Sequence, residues 1–251
     1  MKDAIGILDS GVGGISVLKK AVELLPNESF IYYGDNANAP YGPRPIDEIR
    51  RLSALAIDHL LSQDVKALVI ACNTITAAYA SIIRSHTDIP VIGMEPAVKP
   101  ASLIRSDGRI LALATRATLS LNKFSRLMEN YGEGVVPMEG VGLVEIVERG
   151  EMDSDTAAHA IDALFAPYMN DKIDGIVLGC THYPFLRRQI GRVFPNVPVF
   201  DGREGTVRQL ARLLEARHAL SARSERGSIE FQTSGSDATL ELMKRLFEYE
   251  L

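Results

Sequence analysis

The sequence predicts an α/β protein made of two pseudo-symmetric α/β domains. Each is a mostly parallel sheet flanked by helices, and the active site lies in the cleft between them. Three observations carry this. Short apolar runs alternate with longer amphipathic segments along the whole chain of 251 residues, the pattern of parallel sheets covered by helices. The chain has two cysteines, and both end such a run: Ala67-Leu68-Val69-Ile70-Ala71-Cys72-Asn73-Thr74 and Gly175-Ile176-Val177-Leu178-Gly179-Cys180-Thr181-His182, 108 residues apart. Two further anchors echo in the same order: Pro90-Val91-Ile92-Gly93 with Pro198-Val199-Phe200-Asp201, also 108 apart, and Ser10 with Thr115, 105 apart. Matched anchors at one spacing argue for two related halves.

In the first half, Ala4 to Leu8 reads as a strand, followed by the glycine turn Ser10-Gly11-Val12-Gly13-Gly14 and a helix that stops before Pro26. Ser29 to Tyr33 is a second strand. Gly34 to Pro45 is too rich in Gly, Pro, Asn and Asp to be regular. Pro45 opens a helix to Gln63, with Asp47 and Glu48 suiting its positive end. The first cysteine strand, a helix to about Ser85 and the strand Pro90 to Gly93 complete this half. The segment Pro96 to Ser106 bridges onward.

The order then repeats. A strand from Arg109 to Ala114 leads to a helix reaching Tyr131, the strand Val135 to Met138 and the loop Glu139 to Gly142. Helices over 143–149 and 153–170 precede the second cysteine strand, a helix to Val193 and the strand Val197 to Phe200. A helix over 205–219, a polar stretch, a strand Ser228 to Thr233 and a helix from Asp237 finish the chain. That last unit has no counterpart between the halves.

Composition narrows the function. A net charge of −5 gives no basic footprint for nucleic acid. No apolar run is long enough to span a membrane, and the chain passes from Met1-Lys2 straight towards its first strand without a signal peptide, so a cytoplasmic location and no membrane partner are expected. Two cysteines outside any C-x-x-C pair read as free thiols, with no metal site. The glycine turn is not a dinucleotide or phosphate loop, because Ser16 occupies the last glycine position and no Walker lysine follows; its N–H groups could still hold a carboxylate. No cofactor is expected.

A lone cysteine is usually a small buried hydrophobe. Two that end strands ahead of helices, each followed by polar residues, point instead to chemistry, because N–H groups there favour a thiolate. Inverting a stereocentre needs one acid/base group on each face of a carbon, and each must play both parts. Related halves supply one thiol apiece. The carboxylates and imidazole at neighbouring strand ends that could tune them are Asp9, Asp35, Glu148 and His182. His182 alone among five histidines follows a strand-end cysteine; His59, His86, His159 and His218 fall within helices. Asp9 reads equally well as a turn-former.

Four motifs, in order, resemble the glutamate racemase family of the aspartate/glutamate racemase superfamily: Gly6-Ile7-Leu8-Asp9-Ser10-Gly11-Val12-Gly13-Gly14; Tyr33-Gly34-Asp35 with Pro40-Tyr41-Gly42-Pro43; Ala71-Cys72-Asn73-Thr74; and Leu178-Gly179-Cys180-Thr181-His182-Tyr183-Pro184. The resemblance implies cofactor-independent interconversion of L- and D-glutamate, a small-molecule substrate, with D-glutamate supplied to peptidoglycan. It implies Cys72 and Cys180 as the acid/base pair, Asp9 and His182 as their polar partners, and Asp35 and Glu148 in support. Asp9, Ser10, Tyr41, Gly42, Asn73, Thr74, Thr115, Thr118, Thr181 and His182 become the substrate shell. It also implies a discontinuous first domain, 1–93 plus 206–251, around a second, 94–205. A homodimer is the common assembly of the family. Departures fall at Asn36-Ala37-Asn38, where threonine more often follows the aspartate, at Glu145, where proline is common, and at Asn122-Lys123-Phe124 and Asp201-Gly202-Arg203. Three readings compete: a racemase of aspartate or another amino acid, a cysteine hydrolase with Cys180 as nucleophile, and an amino-acid-binding protein.

Overall fold

The computed structural model describes residues 3–251; the expected entry from Met1-Lys2 lies outside the described residues. Among them, nine strands form two sheets, every pairing parallel. The first contains β1 (Ile5–Asp9), β2 (Phe30–Gly34), β3 (Ala67–Ile70), β4 (Val91–Gly93) and β9 (Ile229–Thr233), in the order β4-β3-β1-β2-β9. The second contains β5 (Arg109–Ala114), β6 (Val135–Glu139), β7 (Ile173–Gly179) and β8 (Val199–Asp201), in the order β6-β5-β7-β8. Strip β9 from the first and the two orders are the same. Residues of β1 and β3 are buried throughout, as strands covered by helices on both faces must be.

Helices α1 (Ile15–Leu24), α2 (Ile46–Leu61), α3 (Asn73–Arg84), α10 (Arg203–Ala216) and α11 (Asp237–Glu248) serve the first sheet. Around the second lie α4 (Val98–Ser102), α5 (Arg116–Ser120), α6 (Asn122–Tyr131), α7 (Leu143–Glu148), α8 (Asp155–Phe165) and α9 (Arg187–Val193). The unmatched last strand, β9, pairs with β2 and extends the first sheet. One apolar cluster runs through both lobes, from Ile5, Val12 and Met243 to Leu178, Val147 and Tyr183, so the lobes share buried surface. Among the described residues no helix is long and apolar enough to cross a membrane.

Local departures from the sequence reading have local causes. The single helix expected up to Tyr131 is two, because the Ser120 hydroxyl donates back to the carbonyls of Arg116 and Ala117 and Leu121 turns extended (φ −89°, ψ 144°). The helix expected straight after Cys180 begins as a 3₁₀ turn, Tyr183–Leu186, whose four side chains are all buried. A short 3₁₀ turn, Asn36–Asn38, sits in the breaker-rich loop, and the bridging segment contains α4.

Both sheets change direction beside their central strands. The chain lays β2 on one side of β1 and β3 on the other; likewise β6 and β7 flank β5. Ligands of parallel sheets bind where the order reverses, beyond the carboxyl ends of the strands. Those ends carry Asp9-Ser10 and Cys72-Asn73 in one lobe, Thr115 and Cys180 in the other.

Candidate active site

The two sets of strand ends face a common cavity of about 230 Å³. Ser10, Tyr41, Gly42, Cys72, Asn73 and Thr74 line it from the first lobe, Thr115, Cys180, Thr181 and His182 from the second. Each thiol is buried, 6% exposed at Cys72 and 7% at Cys180, and neither is in a disulfide. Cys72 is the extended residue that caps α3, so its sulfur sits at the helix's positive end, 3.5 Å from the Ser10 hydroxyl. The Cys180 sulfur lies 3.7 Å from Nδ1 of His182.

Behind His182 the geometry is tight. Its Nε2 meets Glu148 Oε1 at 2.7 Å. The same oxygen accepts the Val12 N–H at 2.8 Å, and Oε2 accepts from the Asn36 amide at 2.9 Å. Asp9 accepts from the Gly11 N–H with one oxygen and from the Thr181 hydroxyl with the other, both at 2.9 Å. The Ser16 hydroxyl donates to the Thr181 carbonyl at 2.9 Å. Four of these bonds cross between lobes, Val12 and Asn36 to Glu148 and Asp9 and Ser16 to Thr181. The glycine turn does bind carboxylates with its N–H groups, but they are the protein's own.

The turn is glycine-rich because the other lobe meets it at Gly11 and Gly13 and its own strand β1 crowds it at Gly14. A Cβ on Gly11 would collide with the Glu148 carboxylate, one on Gly13 with the His182 ring and the Thr181 hydroxyl, and one on Gly14 with Asp9.

Burial and charge set the protonation pattern. Burial opposes a cation at His182, but the Cys180 sulfur and the Glu148 carboxylate overcome it and hold the imidazole well above its ordinary value. Burial would raise Glu148; His182, the Val12 N–H and Asn36 reverse that and lower it. Asp9, buried with no full counter-charge, is pushed up to about 6, with His182 limiting the rise. Burial, then the charge of Asp9, push the Cys72 thiol up to about 12, which exceeds what Ser10 and the Ile75 N–H recover. The thiolate stabilisation expected from a helix N-terminus is therefore overridden at Cys72 by desolvation.

Four expected residues stand behind the lining: Asp9, Glu148, Asp35 and Thr118. Asp35 accepts from the Tyr41 phenol at 2.5 Å and from Ser234 at 2.6 Å, so it holds Tyr41 against the cavity and does not itself face the thiols. Thr118 closes a hydroxyl triangle, 3.0 Å from Thr115 and 3.4 Å from Thr74, itself 3.0 Å from Thr115. Asn73 is buried with both amide atoms lacking a protein partner. On the cavity wall, such an amide offers a donor and an acceptor that the protein itself does not use. The other histidines lie elsewhere: His59 pairs with Gln232, and Nδ1 of His159 sits against a carbonyl of its own helix. His86 and His218, expected within helices, lie in the turns just after α3 and α10, His86 against the Ile82 carbonyl and His218 at a φ of 52°.

Sequence reasoning missed the rim. Arg116, Glu139, Val141, Val144 and Glu145 also line the cavity. Glu139 and Arg116 were findable as the strand-end and helix-start residues of the second lobe; they form an ion pair at 3.3 Å.

The Asp/Glu/hydantoin racemase family model matches residues 5–210. A glutamate racemase of Clostridium perfringens is 45% identical across 97% of this chain and 96% of its own. Among solved structures, a glutamate racemase isoform of Bacillus anthracis superposes with a TM-score of 0.88 at 31% identity, covering 99% of this chain and 95% of that one. The Escherichia coli glutamate racemase, solved with L-glutamate and the activator UDP-MurNAc-Ala, gives 0.84 at 29% identity over 98% and 96%. On that match, and on two thiols meeting across one pocket, the chain belongs to the Asp/Glu/hydantoin racemase family, among its glutamate racemases, and is an amino-acid racemase.

Proposed function

We propose that the chain interconverts L- and D-glutamate by proton transfer at the α-carbon between Cys72 and Cys180, with residues 1–93 and 206–251 as one domain and 94–205 as the other, and that its D-glutamate supplies peptidoglycan. The observation that carries this is the presentation of one thiol from each lobe to a single cavity.

One sulfur, as thiolate, takes the α-proton and leaves a carbanion. The opposite thiol gives its proton to the other face. Substrate charge is unchanged, and the two sulfurs exchange protonation states. In the starting state Cys72, pushed up to about 12, is the thiol. His182 is a cation 3.7 Å from Cys180 and offers a counter-charge to a thiolate there. After transfer the roles reverse: the anion is at Cys72, where the charge of Asp9 opposes it. Asp9, titrating at about 6, relieves that repulsion when it takes up a proton. Asn73, Thr74, Thr115 and the α3 N-terminus supply donors for the substrate's carboxylates, while Thr118 and Asp35 hold Thr115 and Tyr41 in place.

The test is incubation with each glutamate enantiomer in heavy water, following optical rotation and α-deuterium. Inverted product should carry solvent deuterium. Because enantiomers have an equilibrium constant of one, kcat/KM must be equal in the two directions for the protein and every variant. A racemisation rate near wild type in Cys72→Ala or Cys180→Ala would remove the mechanism. Turnover on aspartate instead of glutamate would change the substrate and keep the chemistry.

A further inference from the structure

We propose that Asn36 is a positioning residue of the catalytic site, acting on Cys180 through Glu148 and His182 and tying that relay to strand β9.

The residue lies in the 3₁₀ turn after β2, outside the cavity lining, and is half-buried. Its amide is clamped at both ends. The Thr233 hydroxyl at the end of β9 donates to Oδ1 at 2.9 Å, and Nδ2 donates to Glu148 Oε2 at 2.9 Å. The orientation of the amide follows from this, since an ionised carboxylate only accepts. With Oε2 held by Asn36 and Oε1 held by the Val12 N–H, Glu148 has no freedom to rotate away from His182. The chain of contacts then runs from Thr233 through Asn36, Glu148 and His182 to the Cys180 sulfur, starting in the first lobe and ending in the second. A donor that fixes the carboxylate behind an imidazole holds the imidazole's orientation.

Several groups face Glu148 besides Asn36. His182 is the cation; the carboxyl of Asp9 and the phenol of Tyr32 are the other titratable groups close enough to sense its charge. A carboxylate placed at position 36 would be a second anion against Glu148, and two such groups resist ionising together.

The inference rests on the two-thiol reading above, and its test is separate. Kinetics on glutamate in both directions are measured for Asn36→Ala, Asn36→Asp, Glu148→Gln and the double variant Asn36→Ala/Glu148→Gln, with folding checked by circular dichroism. Asn36→Ala should lower kcat about 5- to 20-fold with KM within about twofold, around the lower end of the roughly 10- to 100-fold loss that follows removal of an orienting contact. In the Glu148→Gln background it should cost nothing further, because its effect passes through that carboxylate. Asn36→Asp should displace the whole pH–rate profile upwards by at least about one pH unit, recovering rate at alkaline pH. Asn36→Ala within twofold of wild type, effects that multiply in the double variant, or an unmoved Asn36→Asp profile would each overturn the role. If Asn36→Asp does not fold, the Asn36→Ala cycle decides alone. Failure of the thiol mechanism shows separately, as activity surviving Cys180→Ala.

Discussion

His182 Nε2 and Glu148 Oε1 meet at 2.7 Å, and the same oxygen docks on the N–H of Val12 in the opposite lobe. The His182 imidazole is therefore held by a carboxylate that the other lobe holds. Replacing the charge should separate these functions. In Glu148→Gln the imidazole loses an anion that raises it, so its value falls and the cation beside Cys180 is lost at lower pH. We expect kcat to drop by about 10- to 100-fold and the alkaline limb of the pH–rate profile to move down. A His182 imidazole titration by NMR, unchanged from wild type, would contradict this.

Asp9 makes a stability prediction of the opposite sign to most carboxylates. Its folded value, about 6, lies above the ordinary 3.8. Such a group contributes stability that is complete below about pH 4 and is lost as pH rises through about 6. Fully ionised and fully buried, it costs the native state about 3 kcal/mol. Asp9→Asn keeps an acceptor for the Gly11 N–H and a partner for the Thr181 hydroxyl. It should unfold like wild type near pH 4 and be more stable by about 1–3 kcal/mol at pH 8, while losing activity. Urea melts at the two pH values measure it; equal differences at both would show that Asp9 is not raised.

What was legible in the sequence was whatever repeats or resists ambiguity. Cys72 and Cys180 were readable because each terminates an apolar run in matching positions, and the matching order of the two sheets follows from that repeat. The chemistry of the glycine turn was half-legible: its N–H groups were seen as a carboxylate cradle, but that Glu148 fills it depends on a contact between residues 136 positions apart. Asn36 looked like loop material because its partners, Thr233 and Glu148, come from β9 and α7. The elevated Cys72 thiol was hidden for a related reason, since local sequence displays a helix N-terminus but not how completely the other lobe excludes water from it.

Some glycines are needed by the other lobe, and a few have nothing near them. Gly11→Ala would drive a methyl into the Glu148 carboxylate and should cost activity about as heavily as Glu148→Gln, with about 1–3 kcal/mol of stability. Gly191 in α9 and Gly205 in α10 have open space where a Cβ would go. Alanine there should stabilise by about 0.5–1 kcal/mol each through helix propensity, with kinetics unchanged. Thermal melts paired with racemisation rates check both halves; an active Gly11→Ala would mean the lobes meet elsewhere.

Charge at the cavity mouth sets the last expectation. Glutamate carries a net charge of −1 at neutral pH and approaches a protein of net charge −5. Glu139 and Glu145 on the rim repel such a ligand, whereas Glu148 behind it is paired with His182. Arg116 is the cationic side chain of the rim, exposed and only 3.3 Å from Glu139, so the pair partly cancels. Arg116→Gln leaves the rim purely anionic, while Glu145→Gln relieves it. The first should raise KM about 2- to 5-fold and the second lower it by a similar factor, both with kcat kept, because exposed charges act through about 0.5–1 kcal/mol. Salt supplies the discriminating measurement. Added salt screens repulsion more than attraction in the Arg116→Gln variant, so its KM should fall towards the wild-type value between low and physiological ionic strength. A KM penalty that persists unchanged in salt would mean that Arg116 touches bound substrate instead of guiding its entry.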